Sequence, residues 1–180
     1  MLEINPFDEN DLSDVSRLHI EGWKATYEGL VDPAFLNSLS LSQRESEWRA
    51  WLAAGDMQVL LARQAGHPAG FISFGRLKTP PPGMSPIRPL YGSEIYAVYL
   101  LPEYWRHGIG TALMRAAAET LKGQKQTSLC LWVIEQNTRA QAFYERLGGQ
   151  RVGKKPADIG GKKFTEICYA WRNTNVLIQT

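Results

Sequence analysis

A chain of 180 residues is long enough for one well-packed domain and short for two. Its 44% hydrophobic and 21% charged residues are the make-up of a soluble globular protein. A net charge of +2, alternating in sign with no basic block longer than Lys154-Lys155 or Lys162-Lys163, calls for neither nucleic acid nor an anionic membrane. No run approaches the ~18–20 apolar residues of a membrane span, and MLEINPFDEN lacks a basic region followed by an apolar core. The two cysteines, Cys130 and Cys168, lie in apolar, strand-like runs and read as reduced core residues, which agrees with a cytoplasmic location.

In chain order, Leu2–Pro6 is a short first strand. From Asp8 to Tyr27, Leu12, Val15, Leu18, Gly22-Trp23 and Thr26 recur at helical steps, with Asp8 or Asn10 as cap and Gly29 as stop. Leu30–Pro33 is a connector. A second helix runs from about Ser42 to Ala54, where Ser42-Gln43-Arg44-Glu45 has capping-box spacing and Trp48, Trp51 and Leu52 form an apolar edge. Strands Met57–Arg63 and Ala69–Arg76 follow, joined by a Gly- and Pro-containing hairpin loop.

Lys78–Pro89 holds five of the chain's ten prolines and excludes helix or central strand. It reads either as a surface loop or as a wall over a substrate cleft. After it come a strand containing Glu94–Leu101, a helix from Ile109 to Gly123, a strand Thr127–Ile134 and a helix Asn137–Leu147 stopped by Gly148-Gly149. Two closing strands lie near Gln150–Lys154 and Phe164–Trp171. The expected fold is one α/β (α+β) domain over residues 1–172, a mixed and mostly antiparallel twisted sheet flanked by helices, with a central parallel β-α-β unit. Residues 173–180 read as a tail or an exchanged edge strand, the latter implying a homodimer.

The organising stretch is Glu94–Leu113, EIYAVYLLPEYWRHGIGTAL: a buried strand, a loop with two glycines, and a helix start. Backbone N–H groups at such a helix N-terminus lack partners and, with the helix dipole behind them, can hold an anion such as a diphosphate. The dinucleotide fingerprint fails, because G-x-G is followed here by T-A-L. The Walker loop fails too, because Thr111 stands where its lysine would be. Glu94 is the one charge in its strand. It must be paired, exposed at the strand end, or kept for chemistry, and burial would raise its pKa toward that of a working base.

Val98-Tyr99-Leu100-Leu101-Pro102 followed by Gly108-Ile109-Gly110 resembles motif A of the GNAT superfamily, the acyl-CoA-dependent N-acetyltransferases. Asn137-x-x-Ala140-x-x-Phe143-Tyr144-x-x-Leu147-Gly148 resembles its motif B, and His19-x-x-x-Trp23-x-x-x-Tyr27-x-Gly29-Leu30 is similar to the opening of one bacterial branch. The chain departs from motif A where a consensus Gln or Arg falls on Trp105, with Arg106 next to it.

The resemblance implies acetyl-CoA as co-substrate, no metal, and transfer of its acetyl group to a primary amine, with a small-molecule acceptor expected ahead of a protein. A non-catalytic acyl-CoA sensor and a nucleotide-phosphate binder are the rival classes. It implies Val98, Leu100, Arg106, His107, Gly108, Ile109, Gly110, Thr111 and Asn137 as the CoA-binding residues, with the Leu100 N–H as oxyanion donor. It also implies Glu94 as general base, 14 positions before the first loop glycine, and Tyr144 as the acid that protonates the leaving thiolate. Asn137 reads equally as a helix cap. The first two helices and the Pro-rich loop are expected on the acceptor side, with Trp23 and Tyr27 as candidate lining.

Overall fold

The structure, a computed structural model, describes residues 1–82 and 90–179. Seven strands form one mixed, mostly antiparallel sheet: β1 (Leu2–Pro6), β2 (Met57–Gln64), β3 (His67–Arg76), β4 (Ser93–Leu100), β5 (Leu129–Ile134), β6 (Gln150–Ile159) and β7 (Lys162–Trp171), in the order β1-β2-β3-β4-β5-β7-β6. The expected parallel unit is present: β4 pairs with β5 in parallel, through Ser93–Ile95 against Leu129–Leu131. The helix between them is α4 (Ile109–Gly123), and the other helices are α1 (Leu12–Tyr27), α2 (Pro33–Asn37), α3 (Leu41–Ala53), α5 (Thr138–Arg146) and α6 (Asn175–Ile178). The chain divides into two compact units, residues 1–73 with 97–113 and residues 74–96 with 114–180.

In the first unit, Val15 and Leu18 of α1, Trp48 of α3, Val59 and Leu61 of β2 and Phe71 of β3 make the buried core. A turn of 3-10 helix, Glu9–Asp11, precedes α1, and a reciprocal pair of bonds closes it: Asn10 N–H to Asp8 Oδ1 and Asp8 N–H to Asp11 Oδ2, both 2.9 Å. Arg63 on β2 then donates to Asp11 (2.7 Å) and Asp14 (3.2 Å), which ties the start of α1 to the strand. The Leu30–Pro33 connector runs into a helix that the periodicity did not announce. Asp32 accepts from Ala34 N–H and Pro33 fills the first helical position, a complete start signal for the five residues of α2.

The cap of α3 is Ser40, not Ser42: Ser40 has extended backbone and its Oγ accepts from Gln43 N–H at 3.4 Å, while Glu45 is spent on Arg49. The β2–β3 loop contracts to Ala65-Gly66, both left-handed (φ 50° and 81°), the geometry of a two-residue hairpin.

In the second unit, Tyr91, Cys130, Cys168 and Ala170 form a core cluster joined by Leu77, Trp132 and Val152. The closing hairpin is longer than the sequence suggests, ten residues in each strand around Gly160-Gly161. Pro156 looks like a strand breaker, but β6 is the sheet's edge, where a missing N–H is tolerated. Leu177 of α6 is buried, so part of the 173–180 stretch is packed. Residues 83–89 of the proline-rich loop lie outside the described residues.

The end of β4 is fixed from two sides within the first unit. A Cβ added at Gly22 of α1 would lie 2.6 Å from Tyr99 Cβ and Cγ, and one at Gly70 of β3 would lie 2.6 Å from the Tyr99 carbonyl oxygen. Helix propensity alone favours Gly22→Ala by up to ~1 kcal/mol. Packing opposes it, since overpacking a well-filled contact costs about 1–3 kcal/mol. We expect Gly22→Ala to lower the thermal midpoint by several degrees in a melting experiment; a raised midpoint would mean that α1 does not press on Tyr99.

Candidate functional site

The continuation of β4 carries Val98 and Leu100, half-buried, into the glycine loop of the same unit. Leu101 N–H donates to Ala69 O at 3.0 Å, and a 3-10 turn, Pro102–Tyr104, changes the chain's direction. Trp105, at the position where the motif departs from consensus, has a definite job: its Nε1–H donates to Leu100 O at 3.0 Å and folds the loop back on the strand end.

Backbone at Arg106 (φ 66°) and Gly108 (φ 78°) is left-handed on either side of His107. Such alternation turns successive N–H groups into one concavity, an anion-binding nest. Ile109 is buried at 1% exposure and anchors the start of α4. Ala112 donates to Gly108 O at 3.0 Å as the ladder begins, so the N–H groups of the preceding turn have no place in it. Arg106, His107 and Gly108 are exposed, and Gly110 and Thr111 are half-buried. The seven residues from this loop and Leu100 that the sequence singled out, together with Val98, thus form one continuous feature. Chemically it is a row of donors at a positive helix end, suited to a diphosphate.

Glu94 lies in the second unit, at the start of β4 and opposite Cys130, with 6% exposure. Lys78 N–H (2.8 Å) and Thr79 N–H (2.6 Å) both donate to its Oε2. Burial pushes its pKa above the usual carboxylate value, and the bonds from Thr79 and Lys78 and the charge of Lys155 offset part of that rise. The carboxylate also anchors a strap. Leu77 N–H donates to Gly92 O (3.1 Å), Trp132 Nε1–H donates to Thr79 O (2.9 Å), and a Cβ added at Gly153 would lie 2.8 Å from Pro82 Cδ. Sequence reasoning missed the strap because its donors are backbone groups of an aperiodic loop.

Tyr144 and Asn137 also lie in the second unit. Tyr144 is buried beside Tyr169 (5.8 Å) and Trp171 (6.3 Å), and burial raises its phenol pKa. Asn137 caps α5, its Oδ1 accepting from Ala140 N–H at 3.1 Å. Cys130 and Cys168 are fully buried free thiols, and the hydrogen bond between them followed by burial pushes the Cys130 thiol up, away from nucleophilic use. No group of three or more His, Cys, Asp or Glu side chains among the described residues could hold a metal, and none of their helices is long and apolar enough to cross a membrane.

The sequence singled out His19 and Trp23 only as motif letters. His19 is buried among rings of Trp48 (5.6 Å), Phe71 (5.5 Å) and Tyr99 (5.3 Å), and burial, then the charge of Arg44, pushes its pKa down to about 3. It is a neutral imidazole.

Among known proteins, the model of the acetyltransferase (GNAT) family matches residues 23–149. An uncharacterised N-acetyltransferase of Bacillus subtilis, YuaI, is 32% identical over 168 residues, 93% of this chain and 91% of its own length. A probable N-acetyltransferase of Mycobacterium tuberculosis is 29% identical, covering 86% of this chain and 79% of its own. Among solved structures, the paiA N-acetyltransferase of Thermoplasma acidophilum in complex with coenzyme A has the same fold, with a TM-score of 0.66 at 24% identity over 93% of this chain and 98% of that one.

The neutral His19 makes a pH prediction. The unfolded chain's imidazole takes up a proton near pH 6.5 and the folded one only near pH 3, so the unfolded state binds more protons between those values. Stability is therefore undiminished by this group above pH 6.5 and falls as the pH drops toward 3, by up to about 1.4 kcal/mol per pH unit. Urea unfolding at pH 7 and pH 5 should show a smaller loss for His19→Phe than for the wild type. Equal losses would mean that His19 is charged in the folded protein.

Proposed function

The chain belongs to the acetyltransferase (GNAT) family, and from that premise we propose that it moves an acetyl group from acetyl-CoA to the primary amine of a small molecule. The observation that carries the donor half of this reading is the left-handed pair at Arg106 and Gly108 ahead of α4. A nest of N–H groups fits a diphosphate, and the coenzyme A held by the paiA structure carries one. The N–H groups from Arg106 to Thr111 would hold that group, with the Arg106 side chain adding charge. Val98 and Leu100 would line the pantetheine arm with their backbone, and Asn137 would add its amide to the cap it already makes.

Acetyl-CoA supplies an activated thioester, so the protein's work is positioning and proton transfer. An alkylammonium, with a pKa near ~10, is no nucleophile until it loses a proton. Glu94 is the proposed base. Burial raises its pKa toward the range of a working base, and the backbone donors Lys78 and Thr79 both meet Oε2, which holds the carboxylate in one orientation. The Leu100 N–H is the proposed donor to the developing oxyanion. Tyr144, whose phenol keeps its proton because it is buried, is the proposed acid for the departing thiolate, on the strength of its motif position. Attack is direct, because neither buried thiol is poised to carry the acetyl group.

An amine panel followed by CoA release tests the activity; transfer to no amine would contradict it and favour a sensor. Glu94→Gln separates the base from the anchor. Glutamine keeps an oxygen for Lys78 and Thr79 N–H, so the strap stays tethered while basicity is lost. We expect kcat to fall roughly 10²–10⁴-fold, with KM for acetyl-CoA little changed. The wild-type rate should rise with pH as Glu94 ionises, above the ordinary carboxylate range, and the variant should lack that limb. A variant with wild-type kcat would leave Glu94 as an anchor only.

A further inference from the structure

The proposed chemistry leaves one cluster of the first unit unused. Arg44, in the first turn of α3, lies against His19, its Nη1 3.3 and 3.4 Å from the two ring nitrogens. Its Cζ sits 5.7 Å from the Trp23 ring centroid and 5.9 Å from that of Trp51. The side chain is only 11% exposed, and among the described residues its carboxylate partner is Glu47, met through Nε at 3.3 Å. Glu47 is itself 35% exposed and shared with Gln43, whose Nε2–H donates to it at 3.1 Å.

Among the described residues the one anionic contact of Arg44 is long and half-wet, so the guanidinium is met mostly by a neutral imidazole and two indole faces rather than by a carboxylate. His19 adds no negative charge, being neutral. Trp48, packed on His19, adds another donor: its Nε1–H is buried and meets no acceptor among the described residues. The box is therefore rich in donors and short of acceptors. The indoles of Trp23 and Trp51 flank the guanidinium, and Trp51 is 40% exposed. Tyr99, 5.3 Å from His19, ties it to the strand position directly before Leu100.

We infer that Arg44 is the carboxylate-binding residue of the acceptor subsite, so that the amine acetylated by this chain also carries a carboxylate, with the hydrocarbon between the two groups lying on Trp23 and Trp51. The planar guanidinium fork matches a carboxylate's two oxygens, and the flanking rings hold the fork in one plane. This rests on the reading of the chain as an amine acetyltransferase and adds the class of amine.

The test uses the full chain, acetyl-CoA and matched acceptors: glycine, β-alanine and γ-aminobutyrate, each against its amide. The wild type should prefer the acids in kcat/KM by roughly ten- to a hundredfold, the range of a charge-assisted pair. Arg44→Gln should raise KM for the acids and erase the preference while leaving turnover of the amides unchanged, and Arg44→Lys should retain part of it. Amides used as well as acids by the wild type, or an equal loss on both by Arg44→Gln, would overturn the inference; the wild-type comparison stands even if the variant folds poorly. Transfer to neutral amines alone sinks the carboxylate subsite and leaves the acetyltransferase reading intact, whereas transfer to no amine at all removes both.

Discussion

Two residues with left-handed backbone, Arg106 and Gly108, set the shape of the loop between β4 and α4, and the proposed donor site depends on them. A β-strand that runs into a helix would normally spend its polar groups on the next ladder. Here the strand end is pinned instead, by Gly22 and Gly70 against Tyr99 and by Trp105 on the Leu100 carbonyl, and the loop beyond it takes the left-handed conformations that gather successive N–H groups into a concavity. For Arg106 this conformation is strained, roughly 1–3 kcal/mol for a non-glycine residue, and such strain persists only where surrounding structure over-determines it. The buried Ile109 and the indole of Trp105 supply that determination. In the proposed reading the donor is held by backbone, which is compatible with Trp105 standing where the motif has Gln or Arg and serving the loop through its indole instead.

The acidic side of the chemistry is organised by different means. Glu94 is buried by the sheet and held by a strap, and the two pull its pKa in opposite directions. Desolvation wins, and the direction is the useful one for a base. The strap in turn depends on Trp132, whose indole holds Thr79 O while Lys155 sits 4.5 Å over its ring and pairs with Glu166. In the first unit an uncharged histidine and a poorly matched arginine make the opposite environment, one that lacks negative charge.

Much of this was legible in the sequence where a local rule governs. The β4–α4 stretch, the Asn137 cap and the parallel β4–β5 unit follow from spacing, glycine chemistry and apolar periodicity, and each is present. Other features were not legible because their cause is not local. Ser40 outcompetes Ser42 as a cap by backbone geometry, and Pro156 is admitted to β6 because that strand is an edge. The fate of Glu94 depends on backbone donors 15 and 16 residues upstream in a loop without period. Arg44 and His19 are 25 residues apart on different helices, and no sequence pattern joins them.

The central claim is that the Arg106–Thr111 nest holds the donor's diphosphate. A Cβ at Gly108 would meet nothing within 4 Å, so the sole obstacle to a side chain there is its φ of 78°. Calorimetric titration of acetyl-CoA into the wild type and Gly108→Val tests the claim directly. A folded variant that binds acetyl-CoA at least about tenfold more weakly, equivalent to roughly 1.4 kcal/mol, is the predicted result. Undiminished affinity in a variant whose backbone can no longer form the nest would contradict it.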